Sequence, residues 1–126
     1  VRLLESLANG KTVDVPADQV GTPTYAPDLA RATIELVLQG ATGIVNVAGP
    51  TMMSRSEFAK TAAKVFGFNP GQINPILTRG LQQVADRPLR AGLVTTRLRT
   101  LVGDLMRDPL DALGNMAESA NVWDND

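Results

Sequence analysis

The chain has 126 residues, 44% of them hydrophobic, with 12 basic against 13 acidic side chains and a net charge of −1. That length suits one domain burying roughly two-thirds of its unfolded surface, and the balanced charge leaves no footprint for nucleic acid or an anionic membrane. Cysteine and histidine are both absent, which excludes disulfides, thiol nucleophiles, histidine general bases and the common zinc constellations.

No stretch approaches the roughly 18 apolar residues of a membrane span, and no signal-peptide core opens the chain. A cytoplasmic setting is therefore expected. The first residue is Val1, inside a helical pattern already under way, so further residues are expected upstream.

Residues 1–9 read as a helix with Leu3, Leu4 and Leu7 on one face and Gly10 just past its end. Thr12 to Val15 alternate as a short strand does, and Pro16 stops it. Asp18 to Tyr25 form a loop dense in turn residues and hydroxyls, suited to polar recognition. Pro27 and Asp28 open a second helix to about Leu38, with Leu29, Ala30, Thr33, Ile34 and Val37 as its apolar stripe. After a turn from Gly40 to Gly43, Ile44 to Ala48 is expected as a strand between helices, hence a parallel α/β layer.

Ser54-Arg55-Ser56-Glu57 has the form of a capping box, leading a helix that buries Phe58, Ala62, Val65 and Phe66 and ends at Gly67. Asn74 to Leu77 is briefly extended, and 78–93 is long and irregular. Thr95 or Thr96 caps a helix burying Leu98, Leu101 and Val102, stopped by Gly103. Asp108-Pro109 starts the last one, with Leu113, Met116, Ala117 and Ala120 on one side. Asn121 to Asp126 is a polar tail apart from Val122 and Trp123. Arginines crowd residues 79–99 and acids crowd 104–126, so the two segments can neutralise each other.

The chemistry that is missing is informative. A dinucleotide-binding turn needs closely spaced glycines between a strand and the following helix. Gly40-Ala41-Thr42-Gly43 comes after a helix and before a strand, the reverse order. Short-chain reductases pair a Tyr with a Lys four residues on, which lowers the phenol pKa. Here the only tyrosine is Tyr25, and four residues on stands Leu29. No catalytic, cofactor-binding or metal-binding residue is therefore expected in this chain.

What the chain does contain is an ordered set of motifs. Asp18-Gln19-Val20-Gly21-Thr22-Pro23-Thr24-Tyr25, followed by Asp28-Leu29-Ala30, resembles the DQ-x-G-x-PTY-x-x-DLA segment of dTDP-4-dehydrorhamnose reductases, the RmlD-like group of extended short-chain dehydrogenases/reductases. Gly43-Ile44 with Ala48-Gly49, then Ser54-Arg55 with Glu57-Phe58-Ala59, resembles the next two motifs in the same order. Arg87-Pro88, Leu93 and Thr95 to Leu98 resemble the family's RP-x-N-S-x-L-D-T-x-K-L ending, with Arg90, Ala91 and Val94 departing from it. The likeness runs over about residues 1–103.

That resemblance implies an α/β fold: the carboxyl-terminal part of a Rossmann-like dehydrogenase, helices around a few short parallel strands, with residues 1–103 as the substrate-binding portion and 104–126 as a terminal helix and tail. It also implies a missing amino-terminal Rossmann half that binds NADPH or NADH and carries the Tyr/Lys pair. The ligand implied is a deoxysugar nucleotide reduced at its C4 ketone, so the 126 residues alone are expected to be inactive. Gln19, Thr22, Thr24 and Arg87 are the substrate-binding candidates: the neutral groups suit sugar hydroxyls or a base edge, and Arg87 suits a diphosphate. A homodimer is compatible with the scaffold. Two other roles share it: a non-catalytic subunit like the regulatory subunit of methionine adenosyltransferase, and a nucleotide-sugar epimerase or dehydratase.

Overall fold

The computed structural model describes residues 2–81 and 85–123, with side chains through residue 120. Trp123 and the tail therefore lie outside the described side chains. Among the described residues there are five α-helices and two small two-stranded sheets.

The first half of the core forms around helix α3 (Arg55–Val65). Helix α1 (Arg2–Ala8) and strands β1 (Val13–Pro16) and β4 (Ile73–Ile76) pack on it. The two strands run parallel, Val13 opposite Ile73 and Pro16 opposite Ile76. Leu7, Ala59, Ala63 and Ile73 are fully buried there, with Leu3, Val13, Val15 and Phe68 closing around them. Small alanines on α3 let the helix approach the sheet closely. The capping box forms as expected: Ser54 Oγ accepts from the Glu57 amide at 3.1 Å, and the Ser54 amide donates to the Glu57 carboxylate at 2.8 Å. The helix is nonetheless rotated about a quarter of a turn from the expected stripe. Ser56, Ala59, Ala62 and Ala63 are inside, whereas Phe58, Val65 and Phe66 are half-buried.

The second half lies between α2 (Ala26–Leu38) and α4 (Thr96–Val102). Ala32, Leu36 and Leu98 form its centre, and Val45, Val47, Leu101, Val102 and Met106 pack around them. Leu98 is 1% exposed, a burial that stabilises by about 1.5–3 kcal/mol. The apolar stripe of α2 is not its buried side. Its buried line is Asp28, Ala32 and Leu36, while Leu29, Ile34, Val37 and Leu38 face outward, with Val37 72% exposed. The large apolar stripe is thus about a third of a turn away from the buried one. Periodicity located the helix but not the side on which its neighbours stand.

A second correction concerns residues 44–48, which form no strand. Their side chains do alternate, Val45 and Val47 inward and Ile44 87% exposed. No neighbouring strand meets their backbone among the described residues. Instead the Arg97 guanidinium donates to the carbonyls of Ile44 and Thr42 at 2.8 and 2.6 Å, and the Asn46 side chain donates to Val94 O at 3.1 Å. A strand is defined by its ladder, and this segment is extended without one.

Helix α4 begins at Thr96 after Thr95, whose side chain makes no cap bond, and stops at Gly103, φ 74°. The last helix, α5 (Pro109–Trp123), begins where Asp108 accepts from the amides of Leu110 and Asp111, and packs on α3. Ala112 and Leu113 are buried, while Met116 and Ala120, on the same side of the helix as Leu113, are exposed. Asp28, expected only as a helix-start residue, is 2% exposed and accepts from the amide and guanidinium of Arg107, each at 2.9 Å. The Arg107 guanidinium also lies 5.6 Å above the Tyr25 ring. The chain after residue 103 is thereby tied to the start of α2.

Candidate functional site

The 18–25 loop is more ordered than its composition suggests. Val20–Gly21 is a two-residue strand, β2, antiparallel to β3 (Met53–Ser54). On its other side the amides of Val20 and Ala91 exchange bonds with Leu89 O and Val20 O at 2.7 and 2.9 Å. The segment around Arg90 thus backs the loop through its main chain, which explains why departures at Arg90 and Ala91 leave the scaffold intact.

Two threonines fix the end of the loop. Thr24 Oγ1 donates to Thr22 O at 3.0 Å and accepts from the Gly49 amide at 3.1 Å. Thr22 Oγ1 accepts from the Leu93 amide at 3.4 Å. Gly49 is required by contact, since a Cβ there would sit 1.9 Å from Pro23 O. Asp18 fastens the loop start: Thr78 donates to its carboxylate from Oγ1 at 2.6 Å and from its amide at 2.9 Å. Those bonds, the hydroxyl's foremost, hold the Asp18 carboxyl below its ordinary range.

Between this loop, β1 and the start of α3 lies an open cleft of about 720 Å³. Thr22 and Thr24 stand on one wall, Asp14 to Pro16 on another, and Arg55 and Phe58 on the third. Among the described lining residues Arg55 is the single cation and Asp14 the single acid, the latter accepting from the Asn74 side chain at 2.7 Å. A smaller cavity of about 290 Å³ lies beyond Thr24 and Phe58, walled by Tyr25, Leu113 and Met116 and almost wholly apolar.

Of the four sequence candidates, Thr22 and Thr24 are brought together on the cleft wall. Gln19 stands behind it, 6% exposed, its Oε1 accepting from Arg55 Nη1 at 3.1 Å. Its Nε2 is buried without a partner among the described residues, which costs about 1–3 kcal/mol. Arg87 is exposed on the following loop and outside the cleft lining. Sequence reasoning missed Arg55 and Phe58 as cleft residues. Their motif was on view, but a capping box explained its presence without any ligand.

The Gly40 to Gly43 turn does not fit the pyrophosphate of a nicotinamide dinucleotide. The Gly40 to Gly43 turn is filled by Arg97, whose Nη1 lies 3.4 Å from where a Gly43 Cβ would stand, and it presents carbonyls rather than amides to that cation. A pyrophosphate cradle needs the opposite polarity.

Known proteins resemble this chain over most of its length. The family described as RmlD substrate binding domain matches residues 1–121. The dTDP-4-dehydrorhamnose reductase of Mycolicibacterium smegmatis is 32% identical over 90% of this chain and 35% of its own length. A "Probable low-salt glycan biosynthesis reductase" of Haloferax volcanii is 31% identical over 86% of this chain and 37% of its own. The chain thus spans about a third of the length of these relatives. Among solved structures, a dTDP-4-dehydrorhamnose reductase from Clostridium acetobutylicum superposes with a TM-score of 0.86 at 24% identity, covering 95% of this chain and 42% of that one. The Bacillus anthracis enzyme, solved in complex with NADP, gives 0.84 at 23% identity over 94% and 42%. At these identities the superpositions show the fold.

Proposed function

This chain belongs to the RmlD substrate binding domain family, and from that premise we propose that it is the substrate-side portion of an NAD(P)-dependent reductase acting on the C4 ketone of a deoxysugar nucleotide of the dTDP-4-dehydrorhamnose type. The observation that carries this reading is convergence. Two motif segments far apart in sequence, 21–24 and 54–58, meet around one cleft large enough for a nucleotide-sugar.

The chain's own residues bind and orient. Thr22 retains a hydroxyl proton to donate, and Thr24 keeps acceptor capacity toward the cleft. Gln19 acts from behind the wall, and Arg87 is the anion-binding candidate on the neighbouring loop. The cofactor and the proton donor come from a preceding nucleotide-binding half. The outward apolar face of α2 and the unladdered segment 44–48 are where that half packs, since both have the chemistry of an interior left uncovered. The reductase names of the relatives favour catalysis over a regulatory role on the same scaffold.

The test uses the full-length protein with NADPH and a dTDP-4-keto-6-deoxy sugar, following loss of nicotinamide absorbance. Turnover is expected, and Thr24→Val is expected to lower kcat/KM by about tenfold, one neutral hydrogen bond at the ligand. Absence of turnover with every dTDP-keto sugar would sink the reading. So would tight NADPH binding by residues 1–126 alone.

A further inference from the structure

We infer that Arg55 grips the diphosphate of the ligand and that Gln19 is the positioning residue that holds its guanidinium at the cleft wall. This rests on reading the cleft as a nucleotide-sugar site.

Arg55 is anchored twice by one residue. Its amide donates to Gln19 O at 2.9 Å, and Nη1 donates to Gln19 Oε1 at 3.1 Å. A guanidinium only donates, so the orientation of the Gln19 amide is fixed: the oxygen meets Arg55 and Nε2 is left over. That Nε2 belongs to a side chain 6% exposed and has no partner among the described residues. The exposed Arg55 guanidinium is the one cation among the described lining residues of the cleft, so it is the group there with which an anion would pair.

The strut's neutrality matters as much as its position. A carboxylate at residue 19 would hold the guanidinium equally well but cancel its charge. An amide fixes the geometry and leaves the full positive charge for the ligand. Arg55 belongs to neither ion pair found among the described residues, which are Arg99 with Asp104 and Arg107 with Asp28. The acid nearest in sequence, Glu57, is folded back onto the Ser54 amide. With one Nη1 proton committed to Gln19, the remaining guanidinium protons offer the paired donors that phosphate oxygens accept. The helix terminus contributes less, because the Arg55 and Glu57 amides already serve Gln19 and Ser54.

Calorimetric titration of the full-length protein with dTDP, thymidine and inorganic pyrophosphate separates the possibilities. Arg55→Gln is expected to weaken dTDP and pyrophosphate by about 10- to 100-fold while thymidine changes by less than about twofold. Arg55→Lys keeps the charge without the fork and is expected to lose about tenfold. Gln19→Glu is expected to weaken dTDP by about tenfold through neutralisation, and Gln19→Met by about threefold through loss of the strut, both sparing thymidine. Equal loss of dTDP and thymidine in Arg55→Gln would mean a structural role and overturn the inference. Wild-type dTDP affinity in Arg55→Gln, with the loss appearing in Arg87→Gln instead, would overturn it and leave the proposed function standing. Binding of pyrophosphate and UDP through Arg55 without binding of dTDP would keep the inference and sink the deoxythymidine reading. A wild-type protein that binds no diphosphate would sink both.

Discussion

Helices α2 and α3 are similar in length and both amphipathic, yet they use their apolar residues in opposite ways. Helix α3 turns alanines inward and keeps Phe58, Val65 and Phe66 half-covered, because α1, β1, β4 and α5 surround it. Helix α2 buries Asp28, Ala32 and Leu36 against α4 and Arg107, and turns Ile34, Val37 and Leu38 to the outside. The first is a finished interior. The second has one finished side and one side with the composition of an interior, next to a segment with the alternation of a strand and no ladder. On the proposed reading, the contrast arises because an apolar stripe records all the surfaces a helix meets in its whole protein, not only those within one portion of it.

The largest expected effect tests whether the α2 side is properly packed where it is covered. Leu98→Ala should destabilise by about 2–5 kcal/mol, read as a shift in urea midpoint at constant slope; less than about 1 kcal/mol would mean that this cluster is loose and the contrast with α3 misplaced. On the α3 side, Ala63→Leu should cost about 1–3 kcal/mol by overpacking against Leu7, Ala59 and Ile73. Tolerance of the larger side chain would show that α3 is less closely held than its alanines suggest.

Asp28→Ala leaves the Arg107 amide and guanidinium without their acceptor and should cost about 1–3 kcal/mol. Protease cleavage before α5 should become faster in that variant. The outer face gives a smaller but more discriminating result. Val37→Lys should change the stability of residues 1–126 by no more than about 0.5 kcal/mol and reduce self-association in sedimentation velocity. In the full-length protein the same substitution should cost about 1–3 kcal/mol, through a charge buried at the proposed packing surface. Equal effects in both would remove the distinction between the two helices.

The smallest effect is the pH dependence carried by Asp18. Its carboxyl is held below its ordinary range by Thr78, so between the folded and unfolded values the unfolded chain binds more protons and stability rises with pH. The contribution is present above the unfolded carboxylate value and is lost as pH falls through the lower folded one. Asp18→Asn should flatten that part of the acid limb of a urea-midpoint profile; an unchanged limb would mean the bond to Thr78 does not persist in solution.

Much of the local structure was legible. The Ser54–Glu57 capping box, the Gly10 and Gly103 stops and the Asp108-Pro109 start depend on contacts within a few residues, so sequence spacing contains their cause. Thr22 and Thr24, singled out in a loop rich in hydroxyls, line the cleft. Arg55 and the buried roles of Gln19 and Asp28 were not legible, because each depends on a partner far away in sequence: Gln19 and Arg55 are 36 residues apart, Asp28 and Arg107 79.

Sequence alone determined where most helices start and stop, which residue types are absent from the chain, and which family its motifs resemble, since each follows from local spacing or from composition. Tertiary structure alone decided which side of α2 is buried, that residues 44–48 lack a ladder, and that Gln19 holds a cation at a cleft. Those outcomes are set by which surfaces meet, and a periodic pattern fixes the faces of an element without saying what stands opposite each of them.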